Sequence, residues 1–192
     1  MTVDRGGAGE SDADLLAAHV GGDPDAFSTL VRRHRDRLWA VAIRTLGDRE
    51  EAADALQEAF ISALRGASRF RGDSEVSTWL HRIVVNACLD RMRRRKARPA
   101  VPLEGREVGT RTDDHAATLT RLDLRAALST LPDGQRMALV LVDLEDLPVA
   151  EAATILGVAE GTVKSRCARG RMALAAALRS GYGNREPGGG VR

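Results

Sequence analysis

Apolar residues in this chain recur every three or four positions and show no sustained alternation. Phe27, Leu30, Val31, Leu38, Val41 and Ala42 make one long stripe of this kind, the mark of an amphipathic helix. Gly47 ends it, as glycine commonly ends helices. Ahead of it, Ser11 stands where an N-cap belongs for a short helix through LLAAHV, with Asp12 and Asp14 near its positive end. After a GGDP break, Asp23 offers the next cap and Pro24 suits a first helical position, where a missing N–H costs nothing. Asp48 and Glu51 have capping-box spacing and open a third helix through EEAADALQEAFISALRGA. Its expected buried stripe is Ala53, Leu56, Phe60, Ala63 and Leu64. A fourth helix is predicted through STWLHRIVVNACLDRMRRRK, capped by Ser77.

The pattern then lapses. Residues 98–117 hold prolines, glycines and mixed charges without apolar periodicity, and read as a flexible linker. Helical signals resume at Thr118, with Leu119, Leu122 and Ala126 on one stripe, and Met137, Val140, Leu141 and Leu144 on another after Leu131-Pro132. The expectation is an all-α protein: two small helical domains, 12–97 and 118–179, joined by the linker 98–117. The glycine-rich, polar ends, 1–11 and 180–192, are expected to be disordered.

Residues 149–168 fit a helix-turn-helix. Ala153 is the small residue where two helices approach, and Gly157, four positions on, suits the positive φ of the turn. Ile155, Leu156, Val158 and Val163 supply apolar contacts around it. Val163 and Cys167, four apart, should face inward. That leaves Lys164, Ser165, Arg166 and Arg169 on exposed sides and Thr162 at the N-terminal end, the arrangement with which a second helix enters the major groove. Charge alone would favour an idle surface hairpin; the small–Gly–Val spacing turns the balance to DNA reading.

Composition narrows the classes. The 192 residues are 43% hydrophobic but only 3% aromatic, consistent with helices packed through aliphatic side chains. A net charge of +2 conceals a strong asymmetry: about −5 over residues 1–64, about +7 over 65–98 and about +3 over 160–172. Two separated basic segments imply two contacts with a polyanion. Cys88 and Cys167 lie far apart among apolar residues, which predicts buried packing rather than a disulfide or zinc site. No apolar run reaches the roughly 18 residues of a membrane span, and no signal-peptide pattern opens the chain. The expectation is a cytoplasmic protein without direct membrane insertion. His19, His34, His81 and His115 are scattered, with no evident nucleophile partner, and there is no Walker loop or HExxH. No catalytic residue, metal ligand or cofactor is expected, and an enzyme is the least favoured class.

At this point a family resemblance becomes visible. LPDGQRMALVLVDLEDLPVAEAATILGVAEGTVKSRCARGR looks like the C-terminal DNA-binding region of bacterial RNA polymerase sigma factors, most of all the extracytoplasmic-function (ECF) subfamily. DALQEAFISAL is similar to that family's polymerase-binding helix, and FRGDSEVSTWLHRIVVNACLDRMRRRK resembles its promoter-melting region. The three matches occur in the family's order. The resemblance implies that Asp54, Gln57, Glu58 and Ile61 dock on the clamp coiled coil of the polymerase's largest subunit. It implies that Arg71, Ser74, Ser77, Trp79, Arg82, Asn86 and Arg93 serve recognition and melting of the minus-ten element, although Trp79 fits a core position equally. It assigns the minus-thirty-five element to Thr162, Lys164, Ser165, Arg166, Arg169 and Arg171, with Arg166 and Arg171 on phosphates. Core RNA polymerase (including its flap, through the C-terminal domain), promoter DNA and an anti-sigma factor are the implied partners.

Two departures stand out. Pro148 replaces the Ser or Thr frequent in the family, and Gly170 should cost the recognition helix about 1 kcal/mol relative to Ala and let its C-terminal half fray. The competing readings are a one-component helix-turn-helix regulator and a sigma-like decoy that binds only an anti-sigma factor. The first lacks a sensor-domain signature in residues 12–97; the second does not account for the retained RMRRRK and KSRCARGR.

Overall fold

The computed structural model describes residues 10–97 and 124–183, and among these there are helices and turns but no strand. The expected linker 98–117, Leu119, Leu122 and most of the two chain ends lie outside the described residues. The N-terminal module consists of α1 (Asp12–Val20), α2 (Ala26–Leu46), α3 (Arg49–Gly66), a 3-10 turn (Ala67–Arg69) and α4 (Val76–Ala97). Next come α5, helical over 124–129, then α6 (Asp133–Leu139). A π-helical turn (Val140–Leu144) leads on to α7 (Val149–Leu156) and α8 (Glu160–Gly183).

Local chemistry accounts for most boundaries. Ser11 caps α1 in a full capping box with Asp14. Asp12 then accepts from His34 Nε2 at 2.6 Å and Arg33 Nη1 at 3.1 Å, fastening α1 to α2. α2 begins two residues after Pro24, but the Asp23 carboxylate does take the orphan amides of Asp25 and Ala26. Gly47, at φ 75°, closes α2 in the left-handed conformation. Asp48 Oδ1 accepts from the Glu51 amide at 2.9 Å, while the Glu51 carboxylate turns to Arg91 rather than completing the box.

Three expectations about register need correction. The buried line of α3 is Ala52, Ala55, Leu56, Ala59 and Ala63; Ala53 is exposed, Leu64 is 44% exposed and Phe60 is half-buried. The helix is turned by about one residue because four alanines, not the larger residues, pack on α2 and α4. Ser77 is not the cap of α4: the helix starts at Val76, and the Trp79 amide already bonds the Glu75 carbonyl at 3.0 Å. In α5, Ala126 is exposed while Ala127 and Leu128 are buried.

The two modules touch. α4 packs against α7 and α2 against the π turn, and the buried residues of both form one continuous apolar cluster running from Leu15 to Cys167. Gly170 belongs to this packing. It is buried, and a β-carbon there would lie 2.9 Å from Leu139 Cδ1 and 3.0 Å from Leu139 Cγ. The glycine therefore lets α8 cross α6 closely, and α8 spans Glu160–Gly183.

Candidate nucleic-acid interface

The helix-turn-helix is built from α7 and α8. Pro148, at φ −55°, precedes α7 and its carbonyl takes the Ala152 amide at 2.9 Å, so the first turn closes without a side-chain cap. Gly157 adopts φ 63°, and its N–H donates to the α7 carbonyls that end the helix. Val163 and Cys167 are fully buried beneath α8, and Ala153 and Ile155 are buried on the α7 side. This fixes the rotation of α8, so Lys164, Ser165 and Arg169 all point to solvent. Lys164 approaches Glu160 at 3.7 Å, one turn back, and Arg169 donates weakly to the Ser165 carbonyl and hydroxyl. Among the described residues, none of these three side chains is bonded to another element, so all three can reorient toward a ligand.

The other residues assigned to this helix are placed differently. Thr162 is half-buried. Arg166 is half-buried with its guanidinium over Gly134, where a β-carbon would lie 3.2 Å from Arg166 Cζ. Arg171 is held in a bidentate pair by Asp143, at 2.7 and 2.8 Å, and this carboxylate raises the pKa of the guanidinium. Gly161, Ala168 and Met172 share the exposed side with Lys164 and Ser165, Met172 being 66% exposed. Glycine, alanine and methionine carry no charge, so nothing in the charge pattern marks these three positions.

On α4, at 100° per residue, Trp79, Arg82, Asn86 and Arg93 fall on one side. Arg82, Asn86 and Arg93 are exposed, and Trp79 is half-buried against Phe70, ring centroids 5.3 Å apart. Ser77 does not join them; it sits across the helix, half-buried, its carbonyl accepting from His81 Nδ1 at 2.8 Å. Arg71 and Gly72, at φ 75°, stand exposed in the loop before α4, with Ser74 half-buried beside them. Arg91, part of the basic run in sequence, points away from this side. It is the hub of an acidic cluster on α3, reaching Glu51 at 2.7 Å, Glu58 at 2.9 Å and Asp54 at 3.2 Å.

Comparison with known proteins agrees with this two-part layout. The Sigma-70 region 2 family matches residues 30–98, and the Sigma-70 region 4 family matches residues 121–174. The ECF RNA polymerase sigma factor SigM of Mycobacterium tuberculosis H37Rv is 55% identical over 91% of this chain and 87% of its own length. The chain belongs to the ECF RNA polymerase sigma factors. SigW of Bacillus subtilis is 34% identical over 82% of this chain and 91% of its own. Among solved structures, CnrH in complex with the cytosolic domain of CnrY is similar with a TM-score of 0.68 at 28% identity, covering 89% of this chain and 99% of that one. The sigma factor RpoE from Bartonella quintana, solved with the anti-sigma factor NepR, gives 0.63 at 26% identity over 81% and 98%.

In this sigma factor the remaining candidate surface is on α3. Asp54, Gln57, Glu58 and Ile61 are all exposed, and Leu64 extends the apolar part of the same side. Arg91 neutralises its acidic end in part. Cys88 and Cys167 are buried, and burial pushes the Cys88 thiol up to about 12. Among the described residues no helix is long and apolar enough to cross a membrane, and no cluster of His, Cys, Asp and Glu could hold a metal ion.

Proposed function

We propose that this ECF sigma factor reads a promoter in two halves while bound to core RNA polymerase. Lys164, Ser165 and Arg169 meet base edges of the minus-thirty-five element from the major groove; an Arg or Lys can donate to guanine O6 and N7. Arg71 and the α4 side with Trp79, Arg82, Asn86 and Arg93 engage the minus-ten element, where arginines neutralise phosphates and an aromatic ring offers a stacking surface for an unpaired base. Asp54, Gln57, Glu58 and Ile61 dock on the clamp coiled coil of the polymerase's largest subunit. The C-terminal module contacts the polymerase flap, and an anti-sigma factor is the regulatory partner. Phosphodiester chemistry belongs to the polymerase, which places the chain's work in the cytoplasm.

The observation that carries this reading is the rotation of α8. Val163 and Cys167 anchor it so that three polar side chains stand together on the open side of a helix-turn-helix. Arg166 and Arg171 fit phosphates only after leaving Gly134 and Asp143, so they are the weaker members of the set.

The test adds purified protein to sigma-free core polymerase with a library of promoter fragments and sequences the transcripts. Specific start sites that depend on the added protein are expected. Folded protein that binds core yet starts no specific transcript would sink the proposal and favour a decoy; DNA binding without core binding would favour a one-component regulator.

A further inference from the structure

Charge is distributed unevenly round α8, and one edge of the helix is already paired. At 100° per residue, Glu160, Lys164 and Arg171 fall within about 40° of one another. Each cation on this edge has a carboxylate of its own module beside it. Lys164 Nζ lies 3.7 Å from Glu160, and Arg171 is held at two points by Asp143. Arg166 and Arg169 lie well round the helix from this edge. Among the described residues neither has a carboxylate at ion-pair distance: Arg169 meets Ser165, and Arg166 lies over Gly134.

The Asp143 contact has the form of a phosphate contact. Arg171 Nε donates to Oδ2 at 2.8 Å and Nη2 donates to Oδ1 at 2.7 Å. This is the parallel two-bond fork with which a guanidinium holds carboxylate and phosphate alike. The N–H groups that would meet a phosphate side-on are therefore taken by an anion of the chain itself. Asp143 stands on the π turn Val140–Leu144, a wider winding of the backbone that recurs at functional sites.

Folding stability does not account for the pair. Its side chains are 58% and 27% exposed for Arg171 and Asp143, and an ion pair open to water adds little to stability. Val163, Cys167 and Gly170 already seat α8 without it. Its larger effect is on charge. A cation paired in this way presents no net charge to DNA, and a phosphate gains it only by displacing the carboxylate.

We propose that Asp143 competes with DNA phosphate for Arg171, and so sets how tightly α8 holds DNA of any sequence. Exchange of carboxylate for phosphate at Arg171 leaves the number of ion pairs unchanged. An unpaired Arg171 would instead add one phosphate contact and release its counterion. Restrained backbone affinity suits a helix that must find one site among a large excess of competing DNA. The inference rests on α8 being the minus-thirty-five reader; the seating of Asp143 on Arg171 does not.

The test follows the full chain on a mixed-sequence duplex of about 30 base pairs, by fluorescence anisotropy across salt concentration, with circular dichroism checking each fold. Asp143→Asn and Asp143→Ala remove the carboxylate in two ways. Each should bind about fivefold more tightly than wild type at about 0.15 M salt and steepen the salt slope by about 0.9. In an Arg171→Gln background the same substitutions should change affinity by less than about twofold, since no guanidinium is released. A gain of equal size with and without Arg171 would mean that the carboxylate merely repels DNA, and would overturn the competition. So would unchanged or weaker binding by the folded Asp143 variants. Arg169→Ala on the same duplex separates this inference from the promoter reading. If Arg169→Ala weakens binding while the Asp143 variants leave it unchanged, the competition alone fails. If Arg169→Ala has no effect, α8 is not the helix that faces DNA, and the promoter reading fails with the inference built on it.

Discussion

Helices α4 and α8 are both basic, yet they use their charge in different ways. On α8 the buried line of Val163, Cys167 and Gly170 leaves Lys164, Ser165 and Arg169 pointing outward together. On α4 the basic run divides: Arg82 and Arg93 face solvent, while Arg91 turns to Glu51, Asp54 and Glu58 on α3 and its side chain is only 15% exposed. Arg136 on α6 goes further, burying its guanidinium against the Thr45 and Leu131 carbonyls. Charge density marks a segment as a candidate for binding nucleic acid, but helical register decides which side chains are free to do it. A surface arginine is free to meet a ligand; one bonded inward contributes to packing.

Register gives the largest expected effect. Gly170→Val would force carbon into Leu139 where a β-carbon already stands at 2.9 Å, and overpacking of this kind costs about 1–3 kcal/mol. Denaturant unfolding should show that loss, with DNA binding falling as the C-terminal module loosens. A variant as stable as the wild type would mean that the α6–α8 crossing is not tight.

Next come the two classes of arginine on α4. Arg91→Ala should lower stability by about 1–2 kcal/mol, because three carboxylates lose a partner that is itself largely buried. Arg82→Ala should leave stability within about 0.5 kcal/mol but weaken binding to minus-ten DNA and flatten its salt dependence. Chemical denaturation and salt titrations read the two effects separately. If the two substitutions behave alike, the inward–outward distinction on α4 fails.

A smaller effect is tied to pH. His81 is buried with Nδ1 donating to the Ser77 carbonyl; burial lowers its pKa below 6.5, opposed by that bond and by Glu151 of α7, and aided by Arg37 and His34 of α2. The unfolded chain therefore binds a proton more readily than the folded one. Stability is full above 6.5 and is lost as pH falls below it. Melting profiles should show stability falling between pH 7 and pH 5, a loss that His81→Gln reduces. The smallest effect belongs to the exposed Lys164–Glu160 pair: Glu160→Gln should change stability by less than about 0.5 kcal/mol, leaving Lys164 free for DNA.

Much of this was readable in the residues. The all-helical class, the cap at Ser11, the stops at Gly47 and Gly157, and the inward pair Val163 and Cys167 follow from spacing and from backbone preference, which act locally. The register of α3 did not follow, because alanines carry little apolar signal and it was tertiary packing that chose Ala52 and Ala59 over Ala53 and Leu64. Gly170 was misleading for a related reason: propensity counts a glycine against a helix, while a close helix crossing requires one. The roles of Arg91, Arg136 and Glu145 depend on partners 33 to 108 residues away, and no local pattern encodes those.

In the proposed two-half reading, the rotated α8 reads one half of the promoter independently of the other. The most direct measurement compares wild type and Arg169→Ala with sigma-free core polymerase on a randomised promoter library, sequencing the transcripts that start. Arg169→Ala should flatten base preference in the minus-thirty-five element, worth about 1–3 kcal/mol at the contacted pair, and leave minus-ten preference and core binding as in the wild type. Unchanged minus-thirty-five preference, or equal loss at both elements in a folded protein, would contradict it.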